Sequence, residues 1–321
     1  MDDPPFKLGE PRYDQSTFQG RLRHFFDIVD PRTLFTTKKQ LQEAIELLDK
    51  VKKNESLPGV TNSQLWEAQK IKQAIIHPDT NEKIFMPCRM SGFVPFGSVT
   101  VIGLLLPNQT LAQMVFWQWI NQSHNACVNY SNRNAGKNTD YKKFVAGYIG
   151  AITSACSIAV GLSILLKRSN AFRPATKMMI QRFVPYPAVA TASVSNLYLM
   201  RRNELKEGIE VKNSKDEVVG TSFVAARRAV TETAVTRAFL PAPILVVPPM
   251  LMTLLERMSF MRRFPGLFVP IQSVVTVACF GIALPIAIAL FPQTTQIETG
   301  KLEKEIQDQT DESVLFYNKG L

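Results

Sequence analysis

The sequence predicts an all-α, multi-pass helical membrane protein, with about five transmembrane helices, some broken by proline, behind an N-terminal soluble helical region. Three observations carry this. Several apolar segments near the length needed to cross a bilayer lie between residues 90 and 291. Basic pairs stand at segment ends, where membrane anchors sit: Lys142/Lys143, Lys167/Arg168, Arg201/Arg202, Arg227/Arg228 and Arg262/Arg263. Charge is also segregated. The 321 residues are 20% charged with a mean hydropathy of −0.01, an average that describes a soluble chain. That charge is concentrated in the segments before and after the apolar part, so the average misleads. The expected division is residues 1–92 as a soluble or amphipathic helical region, 93–291 as the transmembrane helical domain and 292–321 as an acidic tail.

Taken in order, residues 18–27 (FQGRLRHFFD) alternate aromatic and basic side chains, which suits either a membrane surface or a short packed helix. Thr36 or Thr37 caps a helix to about residue 53, with Leu41, Ala44, Ile45, Leu48 and Val51 on one face. Leu57-Pro58-Gly59 is a turn. Thr61 caps a second helix, with Leu65, Ala68, Lys72, Ile75 and Ile76 inward. It stops at His77-Pro78-Asp79-Thr80, because Pro78 disfavours helical geometry at His77.

Residues 90–106 are apolar but short, with Gly92, Pro95, Gly97 and Gly103, and read as a broken or re-entrant helix. The stretch 107–134, PNQTLAQMVFWQWINQSHNACVNYSNRN, organises the rest. Pro107 suits a first helical position. On a helical wheel Gln118, Asn121, Gln122, Asn125, Asn129, Asn132 and Arg133 share one side. A soluble helix wets its outer face with Lys and Glu. A row of carboxamides between apolar segments must be satisfied by other helices, by water or by a ligand. Such a seam either glues helices together or lines a cavity.

Residues 144–166 form a clear span whose small residues at three- and four-residue spacing predict close helix packing. Residues 178–200 carry Arg182, Pro185, Pro187 and Asn196. Two prolines interrupt the hydrogen-bond ladder, which is tolerated at membrane depth only under cover of protein or a watery cavity. In the polar loop 202–222, IEVKNSKDEVVG predicts a hairpin. Residues 224–257 begin polar and turn apolar, with Glu232, Arg237, Pro248 and Pro249. Glu232 and Arg237 are too far apart in register to stack ideally on one helix. Each is a functional candidate or a charge that snorkels to water. Residues 268–291 are the cleanest span.

The net charge of +10 suits an anionic membrane; no Lys/Arg run with interleaved aromatics supports nucleic-acid binding. The four cysteines, Cys88, Cys127, Cys156 and Cys279, are widely spaced without a CxxC, so neither a zinc site nor a disulfide framework is expected. His24, His77 and His124 are scattered, and no cofactor is expected. Residues 1–5, MDDPP, open without a basic or Arg-rich targeting pattern, so any targeting is expected to be internal. No Gly-rich phosphate loop, nucleophile elbow or carboxylate dyad points to an enzyme.

Several blocks together resemble one family: DPRTLF (residues 30–35), HPDT (77–80), FWQWINQSHNACVNYSNRN (116–134), RFVPYPAVA (182–190) and YNKGL (317–321). End to end, the chain resembles the sideroflexins. Details such as RMSGFVPFG and LLLPNQTLA look closest to the branch associated with citrate. The resemblance implies a multi-pass protein of the mitochondrial inner membrane that transports solutes and is not an enzyme. Citrate or another tricarboxylate is the first expectation. Serine or another small neutral amino acid is the alternative, and a non-transporting scaffold or assembly factor is the third. The partners implied are a small-molecule substrate and membrane lipid; oligomeric state stays open. The candidate substrate-binding residues are Gln118, Asn121, Gln122, Asn125, Asn129, Asn132, Arg133, Arg182, Asn196, Glu232 and Arg237. Arginine offers bidentate contacts to carboxylates, carboxamides bind hydroxyl and carboxylate oxygens, and Glu232 would suit an ammonium. Alternating access would use Pro185, Pro187, Pro248 and Pro249 as breaks or hinges.

Overall fold

Threonine caps set the first helices. In the computed structural model, which describes residues 3–55, 58–78, 80–132, 141–169, 173–214, 217–290 and 294–319, α1 (Phe18–Ile28) starts at Thr17, α2 (Lys38–Lys52) at Thr37 and α3 (Asn62–Ile75) at Thr61. Thr37 with Gln40 and Thr61 with Gln64 each complete a reciprocal capping box, which satisfies two backbone donors at each end. α3 ends before His77. There the buried ring accepts from the Thr80 amide, and the chain turns back so that Ile76 pairs with Lys83. Asp79 lies outside the described residues. The core of this region joins Ala44 and Leu48 to Ala68. Trp66 and Gln69 are also buried, where they hold down the irregular N-terminal segment: Trp66 Nε1 donates to Pro4 O and Gln69 bonds Gly9 and Glu10.

The chain divides into two compact units. The first comprises residues 1–103, 123–139 and 256–290. It contains α1–α3, most of α4 (Phe93–Leu104) and α14 (Phe268–Ala289), with the C-terminal half of α5 (Leu111–Ser131). Here α4 packs on α14, with Phe93 edge-on to Phe280 at 5.5 Å. A Cβ on Gly97 would come within 2.9 Å of the Phe280 ring, so the contact requires glycine. The widely spaced cysteines are the first correction to the sequence reading. Cys88 and Cys127 form a disulfide, and the Pro87 and Cys88 carbonyls are held from α5 by His124 and Asn132. Residues 39 apart carry no local pairing signal; the helix-stop turn and α5 bring them together.

In the second unit, residues 104–122, 140–255 and 291–321, the main helix pair is α6 (Tyr141–Arg168) against α8 (Pro185–Met200). Ala151, Ala155 and Ala192 are its dry seam. A Cβ on Gly150 would sit 2.3 Å from Leu199, so the small residues of 144–166 do serve close approach. α7 (Pro174–Gln181) precedes α8, and the chain breaks over Arg182, Phe183 and Val184. α9 (Glu204–Glu207) leads into the expected hairpin, β1 (Ile209–Lys212) and β2 (Val218–Ser222). α10 (Phe223–Phe239), α11 (Ala242–Leu245) and α12 (Val247–Leu255) follow. α13 (Ser259–Arg263) belongs to the first unit.

Two further expectations change. The fold is mostly helical but includes a four-stranded antiparallel sheet in the order β2-β1-β4-β3. β3 (Thr294–Glu298) and β4 (Val314–Asn318), with α15 (Lys304–Gln307) between them, are made by the expected acidic tail. Leu315 and Tyr317 alternate inward from β4 onto Val211, Ala225, Ala229, Ile297 and Ile306. Among the described residues, three helical stretches are long and apolar enough to cross a membrane: Phe144–Arg168, Phe223–Leu255 and Pro265–Ala289. Met90–Leu104 is too short, and the 178–200 segment is cut at Arg182.

Two charged contacts outside those stretches are testable. Glu303 accepts from the Ser222 hydroxyl (2.7 Å) and from the Phe223 and Val224 amides, which caps α10. Burial alone would raise its carboxyl, but these donors bring it below the usual range. Glu303→Ala is expected to cost about 1 kcal/mol, the worth of a helix cap, read as a lower melting temperature of the purified protein. Asp30 receives Lys70 (2.7 Å) and Arg32 (2.6 Å). Burial opposes its charge, yet the two cations hold it well below the ordinary carboxylate value. A depressed carboxyl stabilises the fold above its unfolded-state pKa and loses that contribution as pH falls below about 4. A melting series from pH 7 to pH 3 is expected to show a steeper acid loss for wild type than for Asp30→Asn.

Candidate functional site

α5 starts later than proline placement suggests. Pro107 lies in a turn, Asn108 takes a positive φ of 54°, and Thr110 caps the helix with Gln113 in a capping box. A T-x-x-Q cap outcompetes Pro at N1, because it satisfies two amides where proline merely lacks one. From this start, the carboxamides divide by burial. Gln118 is 0% exposed, Asn121 and Gln122 are buried, Asn125 is half-buried, and Asn129 and Asn132 are exposed.

Their bonding also differs. Asn132 donates to Cys88 O (3.0 Å) and Val128 O (2.7 Å), so it anchors the disulfide-bearing turn. Asn121 has a partner. Gln118 has none on either amide atom, and Gln122 has none on its amide nitrogen, among the described residues. A buried amide without partners costs ~1–3 kcal/mol, so Gln118 needs an explanation beyond packing.

Its position supplies one. Gln118 lines a cavity of about 40 Å³. The other walls are the 104–109 turn, Met114, Ala159 of α6, Met178 and Gln181 of α7, and Arg182, Val184 and Pro185 at the break. Below Gln118, one helical turn back, Met114 joins Ala159, Val184 and Ala188 in an apolar floor. The cavity therefore has a dry base and polar rims.

The rims differ in sign. On one side α8 begins at Pro185 without a side-chain cap, and its first turn has few amides to offer, because Pro185 and Pro187 carry no N–H and the Tyr186 amide already donates to Phe183 O. Arg182 stands beside it, half-buried, donating to Thr253 Oγ1 at 3.3 Å. On the other side α4 ends at Leu104, where the carbonyls of Leu104 and Leu106 accept from Gln109 Nε2 at 2.9 and 3.0 Å. The lining thus combines an arginine, the turn at the end of α4 and the neutral amide of Gln118. No Asp or Glu is among the lining residues. A volume of about 40 Å³ holds two or three waters at ~10–15 Å³ each, far below the ~300 Å³ of an open small-molecule pocket.

The remaining candidates lie elsewhere. Arg133 lies outside the described residues. Asn196 faces Gly147 in the α6–α8 contact, where a Cβ on that glycine would meet its Oδ1 at 2.6 Å. Glu232 is engaged by Arg228 (2.9 Å) one turn away, by Lys319 (2.7 Å), and by the Tyr317 hydroxyl (3.5 Å). Burial, then the Glu232 charge, pushes the Tyr317 phenol to about 12, so it stays a donor. Arg237, half-buried one turn beyond Thr233, lies within electrostatic reach of Arg201 and does not line the cavity. Of the sequence candidates the cavity gathers Gln118 and Arg182. It adds Asn108, Gln109 and Gln181, which sequence reasoning missed; the one available signal was that Gln181 and Arg182 precede the Val-Pro-Tyr-Pro break.

Comparison with known proteins agrees along the whole chain. A family profile described as "Sideroflexins" matches residues 7–321. The chain is 60% identical over 320 residues to human Sideroflexin-5, covering 100% of this chain and 94% of that protein. It is 50% identical over 319 residues to Sideroflexin-5 of Caenorhabditis elegans, with 99% and 96% covered. To human Sideroflexin-1 it is 39% identical over 324 residues, with 99% and 98% covered. No solved structure matches it. By profile and by identity over nearly its full length, the chain belongs to the sideroflexin family.

Proposed function

We propose that this protein moves a small carboxylate-bearing solute across the mitochondrial inner membrane, and that the solute rests in the cavity between Gln118 and Arg182. One observation carries the site: a fully buried carboxamide with both polar atoms unpartnered, lining a cavity beside a guanidinium at a broken helix. Family membership supports transport and the membrane.

The two rims favour a zwitterion. A carboxylate suits Arg182, and an ammonium suits the carbonyl end of α4, as broken helices place ion sites in other transporters. Gln118 offers both a donor and an acceptor for whatever lies between. A small neutral amino acid of the serine class therefore fits better than citrate. Citrate is the competing substrate on family grounds, but its three carboxylates would need several cationic forks, and one arginine lines the cavity. Either solute is larger than the cavity, so loading has to part the walls.

Uptake by purified protein in liposomes tests both points. Radiolabelled serine is expected to accumulate faster than citrate under equal gradients. Arg182→Lys, which keeps charge but loses the fork, is expected to lower uptake about tenfold. Gln118→Leu is expected to separate stability from function. Removing an unsatisfied buried amide should hold or raise the melting temperature, because the ~1–3 kcal/mol desolvation penalty disappears. Uptake should fall at least tenfold. Wild-type uptake by a folded Gln118→Leu protein would remove the cavity from the pathway.

A further inference from the structure

We infer that the N-terminal region holds itself in the lipid headgroup layer through five apolar side chains that its own fold leaves uncovered. On α1, Phe18 and Phe26 lie two turns apart on one stripe and are 42% and 44% exposed. The chain then forms a 3-10 turn, Pro31–Phe35, whose last residue, Phe35, is 83% exposed. A second 3-10 turn, Met90–Gly92, packs on the first, and just before it Phe85 and Met86 are 71% and 43% exposed. Single exposed apolar residues are ordinary; several large ones on adjoining turns mark an interaction surface.

A contact in the same unit identifies the occupant. Arg21 Nε donates to the carbonyl of Ala289 at 2.9 Å, and α1 packs against α14. Ala289 is the last residue of the apolar stretch Pro265–Ala289. α1 is therefore fixed at the level where a membrane-length helix leaves the hydrocarbon, and a surface attached there meets lipid. Its composition agrees, because Arg21, Arg23 and His24 alternate with the phenylalanines, as in helices lying in an interface. Phe35 takes no part in the core of this region, which joins Ala44, Leu48 and Ala68.

Depth-dependent fluorescence on the full chain tests this. Phe35→Cys carries an NBD label, with the two free cysteines, Cys156 and Cys279, changed to alanine. Lys39→Cys, whose native side chain is 87% exposed, serves as the aqueous reference. In liposomes containing lipid spin-labelled at carbon 5, the position-35 label is expected to be quenched about twofold more than the position-39 label, because an interfacial side chain sits ~5–10 Å deep. Iodide should quench it less. Phe85→Cys should behave like Phe35→Cys, which guards against a local effect of one substitution. Equal iodide quenching at positions 35 and 39 would overturn the inference. Protection from both quenchers at position 35 would also overturn it, since the surface would then be covered by protein.

Discussion

In a medium without water, each polar atom has to be bonded within the protein, and the architecture follows from how this chain meets that demand. Backbone groups are met by helices, by capping threonines at Thr37, Thr61 and Thr110, and at the end of α14 by a guanidinium from α1. Side-chain groups are met case by case. Asn132 bonds two carbonyls, Thr253 bonds back to Pro249, and Thr233 bonds Ala229. Among the described residues several single buried side-chain atoms lack a partner, such as Ser98 Oγ and Thr276 Oγ1, but fully buried Gln118 lacks one on both amide atoms. The cost of leaving it so is comparable to a substantial fraction of a domain's net stability, and a partner that comes and goes is a physical reason to retain it.

The charges of the polar start of α10 show the opposite solution. Glu232 has Arg228 on its own helix and Lys319 and Tyr317 from the last strand, so its charge is neutralised where the helix emerges into the sheet. Arg201 meets Glu204 and the Lys319 carbonyl. These contacts give residues 315–319 a structural role: β4 fills the sheet core with Leu315 and Tyr317, and Lys319 completes a charge network beside it. Charged residues near a span are therefore of two kinds here. Those at the sheet are consumed by fixed neighbours. Arg182, at a broken helix, lines the cavity and donates to Thr253.

What the sequence disclosed depended on range. Signals within about four residues were readable: the Thr37 and Thr61 caps, the stop at Pro78, the 209–222 hairpin and the small residues of α6. The T-x-x-Q cap at Thr110 is equally local, and weighing Pro107 above it displaced the helix start. Long-range partners were not readable. Nothing near Cys88 announces Cys127, and β4 pairs with a strand about a hundred residues earlier. The inward alternation of Leu315 and Tyr317 was present but hidden by acidic neighbours. For the candidate site, the carboxamide row drew attention to α5, one of the helices that line the cavity. It could not say which amide is left without a partner, because that depends on α7 and α8, whose meeting with α5 is tertiary.

The same dependence suggests how occupancy and shape are linked in the second unit. Arg182 lies in the break between α7 and α8, and its bond to Thr253 reaches α12, which opens with Pro248 and Pro249. The Thr253 hydroxyl in turn donates to the Pro249 carbonyl one helical turn back. Under the proposed function, a carboxylate at Arg182 would compete with the Thr253 hydroxyl, and a charged acceptor is the stronger partner. Release of Thr253 weakens a tie between two interrupted helices, each already short of backbone hydrogen bonds. A ligand shifts a conformational equilibrium only through contacts that differ between the two states. If the solute rests as proposed, the Arg182–Thr253 bond is a contact of that kind.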